Sequence, residues 1–252
     1  VLSDLDYDLD GQALQRFAAL FGDRYMHHFA LRPNTGVATG LDLDQNGRTG
    51  EARDAQGYGR FAGDGGMAIL SSLPVKADDV ITHSELLWQD LPGATLPMTD
   101  AGPFLPAEVR AIQRLSTAGH WIVPVQPAQA ETFHIMAYAA TPPVFDGPED
   151  RNGLRNRDEL RLWEHVLDGT LGPRPDSFII AGNANLDPGG GAGLSDAMRA
   201  FLNRPDLQDP LPGQPTADWE DDGPGDLRVS YVLPSADWTV TDAGVFWPAP
   251  DD

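Results

Sequence analysis

Apolar residues recur at helical spacing over residues 9–30, where Leu14, Phe17, Ala18, Leu20 and Phe21 share one side, and this pattern predicts an amphipathic helix. A second helix is predicted over Arg155–Leu167, with Leu160, Trp163, Val166 and Leu167 on one face, and shorter ones over Ala107–Leu115 and Leu194–Leu202. Short apolar runs predict strands at Met67–Leu70, Trp121–Val125, Thr132–Ala137, Phe178–Ala181, Val229–Leu233 and Trp238–Val245. The runs at 121–125 and 132–137 are spaced to pair with each other. Residues 31–66, rich in Gly, Asp, Asn and Thr, read as a long ordered loop, and 78–102 as a polar connection carrying Trp88 and two prolines. The acidic stretch Asp218–Asp226 reads as a solvated loop. No repeat is visible, and no boundary divides the pattern. Irregular alternation of strands and helices predicts one domain of the α/β (α+β) class over residues 1–252.

Composition sharpens this picture. A hydrophobic share of 41% supplies a core and argues against disorder, while 27 glycines and 22 prolines without a period imply many turns. Seventeen basic residues against 38 acidic ones give a net charge of −21. So acidic a chain repels phosphate backbones and anionic lipid, which argues against binding nucleic acid or membranes by bulk charge. Lys76 is the one lysine. A nearly lysine-free acidic surface suits a salty medium, although genome base composition also produces an arginine bias. With no cysteine, disulfides, thiolate metal sites and cysteine nucleophiles are excluded. No apolar run approaches the length of a membrane span, and no signal peptide is present. The start at Val1 reads as that of a processed or trimmed product.

Three local patterns carry candidate chemistry. Asp42-Leu43-Asp44-Gln45-Asn46-Gly47 matches the first half of an EF-hand-type calcium loop, with Asp42, Asp44 and Asn46 as oxygen ligands. Arg53 stands where the bidentate Glu belongs, and Glu51 or Asp54 is a substitute, so a structural Ca²⁺ and an ordinary Asx turn both fit. Gly189-Gly190-Gly191-Ala192-Gly193 precedes a helix but lacks a lysine, which favours a turn with Ser195 as helix cap over a phosphate cradle. His27-His28 fits a cation near a helix end better than a metal pair.

Longer segments resemble a known family. Gly66-Met67-Ala68-Ile69-Leu70-Ser71, the string Thr141-Pro142-Pro143-Val144-Phe145-Asp146-Gly147-Pro148-Glu149-Asp150-Arg151-Asn152-Gly153 with Asn156-Arg157-Asp158-Glu159-Leu160-Arg161, and Leu227-Arg228-Val229-Ser230-Tyr231-Val232-Leu233-Pro234-Ser235 resemble a bacterial branch of the endonuclease/exonuclease/phosphatase superfamily. The resemblance runs from Val1 to Pro248. It implies a DNase I-like four-layer α/β/β/α sandwich, here lacking the family's first and last strands, with a site at one edge of the paired sheets. It also implies Mg²⁺ or Mn²⁺ chemistry on phosphate esters, with a His–Asp pair and an Asp–Asn pair around the metal.

The chain departs from that pattern where the chemistry lies. The family's metal-binding Glu falls at Asp4, its water-activating Asp at Asn183, its His at Ala139 and its late Asp at Ser230, while Asn185 is kept. The closing Ser-Asp-His motif is absent. His120, in a segment resembling the family's Ser-x-x-x-His-Trp strand, is the remaining candidate in the cleft, with a buried hydrogen-bonded histidine as the alternative. The resemblance places Asp146, Glu149, Asp150 and Arg151 near the substrate mouth, a binding loop or a salt-bridged surface. Such groups act as a unit, so their joint loss implies a pseudoenzyme, natural or made by design, serving as a binding or structural subunit of an assembly in the periplasm or outside the cell. Open sheet edges would invite a protein partner's strand. The alternative is an active metal-dependent phosphoesterase with a rearranged centre, using Asp4, Asn185 and His120.

Overall fold

The apolar runs in the middle of the chain have few polar positions because both faces of the strands they form are covered. In the computed structural model, which describes residues 1–220 and 223–248, the strands are β1 Leu2–Leu5, β2 His27–Phe29, β3 Gly66–Ser71, β4 Ile81–Thr82, β5 Met98–Thr99, β6 Gly102–Pro103, β7 His120–Val125, β8 Phe133–Ala139, β9 Phe178–Asn183, β10 Ala217–Asp218, β11 Asp226–Leu227 and β12 Ser230–Pro234. The α-helices are α1 Gln12–Ala19, α2 Ala107–Arg110, α3 Arg151–Leu167 and α4 Ser195–Leu202. Five strands form the larger sheet in the order β12-β9-β8-β7-β4, with β8 and β9 parallel and the other pairs antiparallel. A smaller sheet has the order β1-β3-β2.

Alternation along each central strand decides which layer a side chain joins. Ile122 of β7, Met136 and Tyr138 of β8, Phe178 and Ile180 of β9, and Tyr231 and Leu233 of β12 pack with Trp163 and Leu160 of α3 and Phe201 of α4. Trp121 and Val123 of β7 and Ala137 of β8 pack instead with Phe29 of β2 and Met67 and Ile69 of β3. The order is therefore helices, five-stranded sheet, three-stranded sheet. This is the mixed α/β architecture expected from the sequence.

Several local expectations are corrected. The helix expected over 9–30 is only the eight residues of α1. Asp8 accepts the backbone N–H groups of Gln12 (2.8 Å) and Ala13 (2.6 Å) at its start, and Gly22 at φ 58° lies beyond its end. His27 and His28 therefore lie on β2, paired with β3, and not at a helix terminus. Among the described residues, Trp238–Val245 forms no strand and pairs with no sheet, although β12 beside it in sequence is an edge strand. Ser195 is the first residue of α4 and donates to the Gly190 carbonyl instead of capping the helix. The acidic stretch Asp218–Asp226 begins and ends in the paired strands β10 and β11, and its residues 221 and 222 lie outside the described residues.

Candidate functional site

β8 and β9 run parallel and end side by side, and their register sets Ala139 beside Asn183. Across β9 the same Asn183 is paired with Ser230 of β12. Three positions singled out in the sequence thus form one row across adjacent strand ends. The backbone there requires glycine: at Gly182, φ is 153° and a Cβ would stand 1.9 Å from the Tyr138 carbonyl oxygen.

Ala139, Asn183 and Asn185 line a cavity of about 810 Å³, while Ser230 is exposed and lies outside its wall. Asp4 reaches the same cavity from the smaller sheet. A register irregularity between Ser3 and Leu5 leaves Asp4 at φ 59°, and a Cβ built on Gly65 would lie 3.7 Å from its Oδ1. Phe145 (φ 69°) and Asn185 (φ 50°) also line the cavity in the left-handed region, so strained backbone gathers at this place. The two amides hold the turn after β9: Asn183 Oδ1 accepts the Asn185 N–H at 3.1 Å, and Asn185 Nδ2 donates to Ala140 O at 2.8 Å.

The rest of the wall is strongly polar. Asp44, Asp64, Asp146 and Glu149 supply carboxylates, and Arg53, Arg151 and Arg155 supply guanidinium groups. Asp146, Glu149 and Arg151 are thus at the cavity; Asp150 is the left-handed residue (φ 53°) preceding α3, and burial, followed by repulsion from Asp146, raises its carboxyl above the usual range. Arg151 donates to Leu43 O at 2.6 Å, and burial lowers its pKa.

α3 organises the floor. Arg155 is buried and donates to the carbonyls of Leu115 (2.9 Å), Gln56 (2.6 Å) and Arg114 (2.9 Å). One turn on, buried Glu159 accepts from Thr117 N (2.5 Å), Thr117 Oγ1 (3.2 Å) and Thr141 N (2.8 Å). Burial pushes the Glu159 carboxyl up to about 7, against the pull of Arg155 and these donors. Asn156 donates to the carbonyls of Thr141 (2.7 Å) and Ala184 (2.8 Å). The helix thereby pins the loops that follow β8 and β9.

His120 does not reach the cavity. It is fully buried against Tyr138 and Trp163, with ring centroids 5.3 and 5.0 Å away. Its Nε2 lies 3.0 Å from the Glu159 carbonyl, which can only accept, so Nε2 donates and Nδ1 accepts from Ser116 Oγ at 2.7 Å. Burial holds its pKa down at about 3. Of the two readings of His120, the buried hydrogen-bonded histidine holds and the cleft role does not, and no histidine lines the cavity.

Asp42 and Asp44 do converge, and their third partner is Asp54: carboxylate oxygens of the three lie within 4.8 Å of one another. Asp42 accepts the N–H groups of Asn46 (3.1 Å) and Gly47 (2.7 Å). Asp54 accepts those of Leu43 (3.0 Å) and Glu51 (3.0 Å). Asn46 turns its amide nitrogen towards Asp44 (3.1 Å) and Glu51 (2.8 Å), which is not a ligand's posture. Arg53 pairs with Asp44 at 3.1 Å. Burial raises the Asp44 carboxyl, but hydrogen bonds, first that from Arg53, outweigh it and hold the pKa low. In the glycine loop, Asp187 Oδ1 accepts the N–H groups of Gly189 (2.6 Å) and Gly190 (2.7 Å), so an internal carboxylate stands where a phosphate would.

With this geometry in view, the comparisons are decisive for the family. The model of the endonuclease/exonuclease/phosphatase family matches residues 6–252. The chain belongs to this family. A search of curated proteins finds no match. A family structure from Beutenbergia cavernae DSM 12333 has a TM-score of 0.52 at 15% identity, with 91% of this chain and 50% of that one covered. A β-hairpin deletion mutant of beta toxin from Staphylococcus aureus has a TM-score of 0.52 at 11% identity, covering 96% of this chain and 76% of the other. This chain therefore spans half the length of the Beutenbergia protein, and both likenesses show the fold.

The family implies a divalent metal, and the strand-end row does not fit one. The row holds no carboxylate: it offers the Asn183 oxygen that already accepts a backbone N–H, the Ser230 hydroxyl outside the cavity wall and the methyl group of Ala139, and only Asp4, from the smaller sheet, stands at the family's metal position. Among the described residues, the acids that converge are in the 42–54 loop. Sequence reasoning did not single out Arg155 or Glu159 as site residues. Their i, i+4 spacing inside the arginine-rich helix was the available signal.

Proposed function

We propose that this chain is a non-catalytic member of its family whose cavity binds without cleaving, and that it works in the periplasm or outside the cell as a binding or structural subunit. The observation that carries this reading is the row Ala139–Asn183–Ser230, which holds no group able to take a proton from water at neutral pH. The acidic, lysine-poor surface supports export, and no helix among the described residues is long and apolar enough to cross a membrane. The edge strand β12, with Val232 57% exposed, supports strand addition by a partner protein.

The test is hydrolysis of bis(p-nitrophenyl) phosphate and p-nitrophenyl phosphate with Mg²⁺, Mn²⁺ and Ca²⁺ in turn, and EDTA as control. The expected result is no turnover above background. Clear EDTA-sensitive turnover would establish the other reading, an active phosphoesterase rebuilt from different residues. A structural Ca²⁺ on Asp42, Asp44 and Asp54 completes the proposal, supported by Asp44 Oδ1, which is buried without a hydrogen-bond partner.

A further inference from the structure

The loop over residues 42–54 holds the groups of a reaction that needs no substrate. Asparagine followed by glycine occurs at Asn46-Gly47 and again at Asn152-Gly153. In such a pair the glycine's backbone nitrogen can attack the asparagine side-chain carbonyl, because no Cβ on the glycine hinders closure of the five-membered ring. The two pairs stand in opposite settings. Asn46 and Gly47 are exposed, and a Cβ built on Gly47 (φ 84°) would meet nothing within 4 Å. Gly153 is buried in the first turn of α3, where a Cβ would run into the Asp150 carboxylate. Asn152 is tied there by its amide nitrogen to Val144 O at 2.7 Å, and ring closure would have to break the helical backbone.

The hydrogen bonds around Asn46 fall on the atoms whose charge changes as the ring closes. Asp42 Oδ2 accepts the Gly47 N–H at 2.7 Å, so a carboxylate stands where the nitrogen must shed its proton. The Arg48 N–H donates to Asn46 Oδ1 at 2.8 Å and stabilises the charge that grows on this oxygen as the nitrogen adds. Asn46 Nδ2 faces Asp44 (3.1 Å) and Glu51 (2.8 Å), and carboxylates favour that nitrogen as it takes up a proton and leaves. We infer that Asn46 is a self-modifying site, converted in the folded protein to aspartate and isoaspartate. The bond from Gly47 N to Asn46 Cγ forms and the Cγ–Nδ2 bond breaks. The proton from Gly47 N passes by way of Asp42 to Nδ2, which departs as ammonia. One water then opens the cyclic imide, at the side-chain carbonyl to give aspartate or at the main-chain carbonyl to give isoaspartate. The product loop carries one more negative charge beside Asp44 and Glu51 and lacks the amide that ties them together. Asp44 lines the cavity, so the conversion alters the charge of its wall. The reaction uses only the loop and water and does not depend on whether the cavity cleaves phosphate esters.

The experiment is incubation of the whole chain at neutral pH with EDTA, followed by peptide mapping with mass spectrometry and by isoaspartyl methyltransferase labelling. Conversion at Asn46 should be faster than at Asn152 by about tenfold or more, equivalent to roughly 1.4 kcal/mol in barrier height. It should also be no slower than at Asn46 in the chain unfolded with guanidinium chloride, where both pairs are released from the fold. Asp42→Asn should slow it by about tenfold, since its amide cannot take the proton. Isoelectric focusing should show an acidic form that accumulates in the parent but not in Asn46→Gln, whose longer side chain would need a larger ring. Equal conversion at Asn46 and Asn152 in the folded chain overturns the inference, as does faster conversion of Asn46 once the chain is unfolded. An Asp42→Asn chain that converts as fast as the parent overturns the proton transfer through Asp42. The comparison of folded and unfolded parent needs no variant, so the inference can fail even where a variant does not fold.

Discussion

At the scale of single residues, two positions carry separate predictions. His120 is neutral in the fold, with a pKa of about 3, and titrates near 6.5 in the unfolded chain. Between those values the unfolded state binds the extra proton, so His120 favours the fold fully above pH 6.5 and loses that contribution as pH falls towards 3. The slope from one such group is at most about 1.4 kcal/mol per pH unit. Gln can donate and accept in the same places, so the stability difference between parent and His120→Gln, from urea denaturation, should rise from pH 3 to 6.5 and then flatten; a pH-independent difference would refute it. The second prediction concerns the strand-end row. Because such groups act as a unit, Asn183→Asp alone should give no phosphodiester turnover, whereas Asn183→Asp with Ala139→His and Ser230→Asp should give EDTA-sensitive turnover. Asn183 and Ala139 were legible because a specific string anchors their alignment. For His120 the sequence left the cleft and the core both open: strand alternation puts it on one of two faces, and which face the helices cover is a tertiary fact.

At the scale of elements, α3 shows how a helix read from its apolar stripe also acts through polar residues. Leu160, Trp163 and Val166 gave the element away, as one-faced packing does. Arg155, Asn156 and Glu159 gave only the weak sign of their spacing, because their partners, mostly backbone groups, belong to loops elsewhere in the chain. Glu159→Gln replaces one acceptor by an NH₂ group facing backbone donors and leaves Arg155 without its countercharge. A loss of about 3 kcal/mol is expected in denaturant unfolding. Hydrogen exchange should quicken first at Thr117 and Thr141, where the lost acceptor sat. Uniform exchange across the chain would show that the helix does not hold those loops. The error over residues 9–30 has a related origin. His27 and His28 extend an acceptable helical pattern, but Gly22 lies before them and pairing with β3 claims them as strand. The polar Asp42–Gly47 turn was legible for the opposite reason, since its Asx bonds are local.

At the scale of the whole molecule, the net charge of −21 works against compactness. Screening shortens the reach of that repulsion from about 10 Å at 0.1 M salt to about 3 Å at 1 M. The melting temperature should therefore rise with NaCl over that range by roughly 5 °C, equivalent to about 1–2 kcal/mol. The same experiment separates general screening from a specific cation. If Asp42, Asp44 and Asp54 bind Ca²⁺, a ligand at about ten times its dissociation constant adds about 1.4 kcal/mol by mass action, on top of any screening. The melting temperature in CaCl₂ should then exceed that in NaCl of equal ionic strength by about 3–4 °C. Asp44→Asn should remove the excess while leaving the NaCl response, because the distributed charge is almost unchanged and only the loop loses a charged oxygen ligand. Matching curves in the two salts would mean that Arg53, already on Asp44, is the cation the loop needs, and the structural Ca²⁺ would have to be abandoned.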